Sequence, residues 1–171
     1  MTDFIIESKM RFIAEQAFHI EKSAAYKSVP AGIKTVEFIR RKKEKLFFIE
    51  AKTSYPNPSS DNKSYKEESS IIADKFVHSL NLLASISLGV KSDDITPLKN
   101  QTNKNSEITF LLVIHGHKTE WCANISEKLQ QIVNENLCLQ KIWRVQVLVI
   151  NSELAVQKGF VAEIIDDKNN D

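Results

Sequence analysis

Residues 4–20 carry Phe4, Ile5, Met10, Phe12, Ile13, Ala17, Phe18 and Ile20 at spacings that fit a helical stripe loosely and also admit short strands. Helix is the expectation there. Pro30, Ala31 and Gly32 interrupt the pattern, and residues 33–41 predict a strand. After a lysine-rich turn over 42–45, residues 46–52 (LFFIEAK) are apolar on both faces until their end, as in a strand inside a covered sheet. Residues 53–66 (TSYPNPSSDNKSYK) form a polar loop. Residues 67–88 place Ile71, Ile72, Phe76, Val77, Leu80, Leu83 and Ala84 at helical steps, predicting a long helix ended by Gly89. A second polar connection leads to a buried strand over 108–114 (ITFLLVI), a helix capped by Thr119 and running to about Asn136, and a strand over 143–150 (WRVQVLVI).

This order predicts an α/β fold: a single domain over residues 1–165 with a mixed central sheet flanked by helices. Residues 166–171 read as an acidic disordered tail. The length of 171 residues suits one core, and four Gly with four Pro exclude a collagen-like or linker chain.

Charge narrows the function classes. A net charge of +1 excludes a globally basic nucleic-acid coat, so any phosphate contact must be local. The chain contains no GxGxxG, P-loop or GxSxG motif, which removes the signatures of dinucleotide, NTPase and serine-hydrolase chemistry. Cys122 and Cys138 lack metal-ligand spacing and read as two buried free thiols of a reducing compartment. The absence of a signal-like start and of a long apolar run predicts a cytoplasmic protein with no membrane span.

The chemistry concentrates in residues 35–52, TVEFIRRKKEKLFFIEAK. A hairpin turning between Lys43 and Glu44 sets Glu37 opposite Glu50 and Thr35 opposite Lys52. Alternation then puts Glu37, Glu50 and Lys52 on one face with Ile39 and Phe48, and Val36, Phe38, Ile49 and Ala51 on the other. Two carboxylates across a strand pair, about 5 Å apart at Cβ, repel unless something positive lies between them. A divalent cation with oxygen ligands meets that need, and a lysine one pleat away can hold water or stabilise charge growing on phosphorus.

These residues resemble the site of the PD-(D/E)xK nuclease superfamily, with Glu50-Ala51-Lys52 as the E-x-K element and Glu37, flanked by Val36 and Phe38, where the family usually has Asp after Pro. The resemblance implies a restriction-endonuclease-like fold and hydrolysis of DNA, in preference to RNA, with Mg²⁺ or Mn²⁺. Glu37, Glu50 and the Ala51 carbonyl would hold the metal while Lys52 positions water. It nominates Glu21, or else Glu15, as an auxiliary acid, and Lys75 or His78 as a contact from the following helix. It also implies a place in a defence or mobile-element system. Specificity would come from a homo-oligomer or a partner protein subunit, since no appended reader motif is evident. The alternative is a catalytically inactive nuclease-fold scaffold within a larger complex.

Other features read more simply. Residues 34–52 hold seven Lys/Arg against three Glu, and Arg40 to Lys45 suggest a solvated hairpin tip able to contact phosphate. His115 and His117 read as loop histidines, Trp121 and Trp143 as packing residues, and Tyr55 and Tyr65 as surface residues beside the loop after Lys52.

Overall fold

A computed structural model describes residues 3–100 and 104–165. The expected tail at 166–171 lies outside the described residues. The chain is one α/β domain built on a five-stranded mixed sheet. Its strands in spatial order are β3 (Ala17–Phe18), β4 (Phe38–Lys42), β5 (Lys45–Lys52), β6 (Glu107–Ile114) and β7 (Gln146–Asn151). β3, β4 and β5 run antiparallel, whereas β5, β6 and β7 run parallel through crossovers by α2 (Asn62–Ser87) and α3 (Thr119–Glu135).

The opening segment departs from the helical expectation. It forms β1 (Phe4–Glu7) and β2 (Met10–Ile13), which with β8 (Val161–Ile164) make a separate antiparallel sheet, followed by a 3-10 turn at Ile20–Lys22 and the short α1 (Ala24–Lys27). Ser8 and Lys9 both take positive φ, 49° and 61°, the conformation of a tight two-residue hairpin turn. Neither residue advertises it in sequence. The second sheet changes the layering too. Helices α2 and α3 cover one face of the central sheet, while Met10, Phe12 and Val161 of the small sheet, with Ala155 of α4 (Ser152–Gln157), close the other.

The β4–β5 hairpin has the expected register: Phe38 pairs with Ile49 and Lys42 with Lys45 across a Lys43-Glu44 turn in which Lys43 takes φ 57°. Ile39 and Phe48 pack under the helices, and Phe38, Ile49 and Ala51 face the small sheet. Val36 departs from its expected face and joins the helix-side core, because the strand begins only at Phe38 and α2 captures the bend before it. There the Ser79 hydroxyl accepts the Val36 N–H at 2.9 Å and donates to the Lys75 carbonyl at 2.7 Å. Thr35 accordingly lies outside the ladder rather than opposite Lys52.

Helix α2 starts five residues earlier than the apolar pattern predicts, where the Asp61 carboxylate accepts the Ser64 N–H at 3.0 Å. It ends at Gly89, whose φ of 76° lets its N–H reach Ile86 and that of Val90 reach Ser85. Thr119 is the first residue of α3 rather than its cap, which is Lys118. The strand expected from Trp143 begins at Gln146, since a π-helical turn at Cys138–Ile142 and a positive φ at Arg144 precede it. No helix among the described residues is long and apolar enough to cross a membrane.

Candidate active site

The site lies where β5 ends under α2. Glu50 belongs to the same parity as Phe48 and projects into the helix-side layer, where its side chain is only 1% exposed. From α2, Lys75 reaches down to it and Glu68, two helical turns earlier, reaches Lys52. The Lys75 ammonium donates to Glu50 Oε1 at 2.6 Å, and Lys52 sits 3.7 Å from the same oxygen and 3.0 Å from Glu68. Glu50 Oε2 is buried without a hydrogen-bond partner among the described residues. Burial pushes the Glu50 carboxyl above its ordinary value despite the pull of Lys75 and Lys52. Burial also works to lower Lys75, but Glu50, Glu37 and Glu21 outweigh it and the ammonium is held charged.

Glu37 immediately precedes β4 and lies outside its paired rungs: its N–H donates at 3.1 Å to the carbonyl of Ile49, the residue Phe38 already faces, so the expected pairing of Glu37 with Glu50 is not formed in the ladder, although the Glu37 carboxyl still feels the Glu50 charge. Its carboxyl is pushed up to about 8, first by burial, then by a side-chain hydrogen bond with Glu21 and by the charges of Glu50, Glu21 and Glu7. Glu21 sits on the 3-10 turn, a single turn rather than the expected helix. Glu15 lies away from it, with its carbonyl accepting from Arg40 at 3.1 Å. On α2, Lys75 reaches the site and His78 does not: the latter's Nδ1 lies 3.1 Å from the Lys34 carbonyl.

Three residues absent from the expectation join the cluster: Glu7, His19 and Glu68. Glu7, at the end of β1, lies 3.9 Å from both His19 Nε2 and the Lys22 ammonium, and one ligand atom each from Glu7, His19 and Glu21 falls within 4.8 Å of the others. Burial raises the Glu7 carboxyl and lowers the His19 imidazole. Reading this segment as helix hid them, because only the hairpin of β1 and β2 returns Glu7 to the end of β3. For Glu68 its spacing of seven from Lys75, already nominated on the predicted helix, was an available signal.

Backbone alternation gives Ala51 a distinct position. Ile49 directs its carbonyl to β4 and Lys52 directs its own to the N–H of His115, 2.8 Å away. Ala51 therefore points its carbonyl to the β4 side, beyond the last paired rung at Phe38 and Ile49. Glu21, Glu37, Glu50, Lys52 and this carbonyl thus share one end of the hairpin. Chemically the cluster is an acid-rich, half-sealed group with an unsatisfied carboxylate oxygen at its base, suited to a small, hard cation.

The opposite end of the hairpin is not a solvated phosphate-contacting tip throughout. Arg40 and Arg41 are buried and committed to structure: Arg40 donates to the carbonyls of Glu15 and Gly159, and Arg41 to the Leu98 carbonyl and the Ser106 hydroxyl. Lys42, Lys43 and Lys45 instead border a depression of about 560 Å³ with Phe47 and Phe160 at that end. Tyr55 and Tyr65 are buried rather than superficial, packed edge to face at 5.9 Å with hydroxyls bonded to Ser69 and the Asn124 carbonyl. Trp121 and Trp143 are each 41% exposed instead of packed, and Cys138 is exposed while Cys122 is buried. No family model, no curated protein and no solved structure matches the chain.

Proposed function

We propose that this protein is a metal-dependent nuclease of the PD-(D/E)xK kind, hydrolysing phosphodiester bonds in DNA at the face carrying Glu37, Glu50 and Lys52. The observation that carries the reading is Glu50: a carboxylate sealed in mid-sheet, one oxygen bonded to Lys75 and the other unpartnered among the described residues, within reach of the charge of Glu37, a carboxyl that burial and its acidic neighbours hold at about 8. That excess of acid fits a divalent cation. Glu50, Glu37 and the Ala51 carbonyl would hold Mg²⁺ or Mn²⁺, with Glu21 in support, and the cation would supply Lewis-acid stabilisation of charge on phosphate oxygens.

The chain's own groups do the rest. Lys52, held between Glu50 and Glu68, keeps its ammonium at the mouth of the site, where it orients an attacking water and balances charge growing at phosphorus. Lys75 fixes the Glu50 carboxylate and stays out of the reaction. We assign target choice to a second copy or a partner subunit, as in a defence or mobile-element assembly. Two free thiols accord with a reducing cytoplasm.

The test is cleavage of supercoiled plasmid and of single-stranded oligonucleotide with Mg²⁺, Mn²⁺ or EDTA. Metal-dependent cutting by wild type, lost in Glu50→Gln and Lys52→Ala with the circular dichroism unchanged, is the expected result. Full activity in both variants refutes the assignment. One observation favours a second reading, an inactive nuclease-fold scaffold: the Lys75 ammonium already serves as counter-ion 2.6 Å from Glu50. In that case Mn²⁺ leaves the melting temperature unchanged, whereas a working site predicts a rise that Glu50→Gln abolishes.

A further inference from the structure

The strand end that holds Lys52 also holds a recess that the acidic cluster does not use. The His115 N–H bonded to the Lys52 carbonyl starts the segment leaving β6, and two residues on, His117 meets Trp121 of α3 edge to face at 5.1 Å. The loop leaving Lys52 returns opposite them with Asn57 and Pro58, and α3 adds Asn124. Together these residues surround a cavity of about 160 Å³, several times the roughly 30 Å³ share of one water molecule.

Trp121 leaves 41% of its area exposed, with the Lys118 ammonium 5.0 Å from its ring. Asn57 accepts the Ser59 N–H through Oδ1, so its NH₂ donates to nothing among the described residues, and the Asn124 side-chain amide is equally uncommitted. Burial lowers the His117 imidazole and keeps it neutral, so it offers one donor and one acceptor. An aromatic ring with a cation over one face and amides at the rim match the base, edges and phosphate of one nucleotide.

We infer that this recess is a base-binding subsite that takes one unpaired nucleobase of single-stranded DNA, an inference that rests on the nuclease reading of the neighbouring site. A base stacked in a duplex has both faces covered and cannot enter a cavity of this size, whereas a base in a single strand can stack on Trp121 and present its edge to Asn57 and Asn124. The substrate is therefore a single strand, or a duplex with a locally unpaired nucleotide.

Binding is measured by fluorescence anisotropy with a labelled 20-nucleotide single strand and its duplex, in Ca²⁺. Trp121→Ala is expected to weaken single-strand binding by about tenfold or more, the loss of one base–aromatic stack, and to leave duplex binding unchanged. Asn57→Ala, on a loop and outside the core, is expected to weaken it as well. In Trp143→Phe protein, where Trp121 is the sole emitter, the single strand should quench tryptophan fluorescence. Unchanged affinity in both variants, or no quenching by a strand that binds, overturns the subsite. Wild type that cuts DNA while Trp121→Ala binds normally refutes the recess and leaves the nuclease. Wild type that binds single strands through Trp121 and never cuts refutes the nuclease and leaves the recess.

Discussion

Glu37→Gln isolates the electrostatic strain of the acidic cluster. The Glu37 carboxyl moves from an ordinary 4.5 to about 8 in the folded chain, so between those values the native state holds a proton that the unfolded state has released. Native protein binding more protons than unfolded protein means that stability falls as pH rises through this window. At about 1.36 kcal/mol per pH unit, the full interval sets a ceiling of about 5 kcal/mol. Glu37 is only half-buried and shares its proton with Glu21, so screening and sharing reduce this to about 2 kcal/mol.

Glutamine keeps the shape and hydrogen-bonding capacity without the charge. Wild type and Glu37→Gln should therefore melt together near pH 5, while near pH 8.5 the variant should be more stable by about 2 kcal/mol, roughly 4–8 °C for a chain of this size. The assay is thermal unfolding by circular dichroism in low salt at half-unit pH steps, repeated with millimolar Mg²⁺. If the proposed site holds a cation, Mg²⁺ closes the gap at pH 8.5 by raising wild type alone. Parallel curves for the two proteins across the whole range would refute the argument, because they would mean that Glu37 ionises in the folded chain as it does in the unfolded one.

Lys75→Met leaves the sealed Glu50 carboxylate without its main counter-ion and should destabilise the fold by about 3 kcal/mol at pH 8, but by clearly less at pH 5.5, where Glu50 can take up a proton instead. Urea denaturation at the two pH values checks this, and equal losses at both would contradict it. Phe110 stacks on Phe76 at 4.5 Å and meets Phe48 edge to face at 5.7 Å beneath α2. Phe110→Ala should accordingly cost about 3–5 kcal/mol in the same assay, and a loss below 1 kcal/mol would show that this aromatic cluster is not the centre of the helix-side core.

The parts of this protein governed by local periodicity are legible along its chain. The β4–β5 hairpin could be read to its exact register because a two-residue turn and period-two alternation leave one arrangement that buries Phe38, Ile49 and Ala51 together on one face. That parity brings Glu50 and Lys52 together at one strand end, whereas Glu37 falls outside the paired rungs, and the apolar stripe of α2 with Gly89 marks the helix that covers them. Tertiary structure alone decided what those groups meet. Residues 4–18 carry too few apolar positions for local patterning to choose helix or strand, and pairing with β8, about 150 residues away, settles it. That long-range pairing brings Glu7 and His19 to the acids. Likewise, nothing in the sequence around Arg40 and Arg41 distinguishes a solvated tip from guanidiniums bonded to the carbonyls of Glu15, Gly159 and Leu98. Trp121 is apolar in any reading, and only the return of the loop after Lys52 opposite His117 leaves it lining a recess instead of a core. Charge and exposure are properties of neighbours, and neighbours distant in sequence are supplied by the fold.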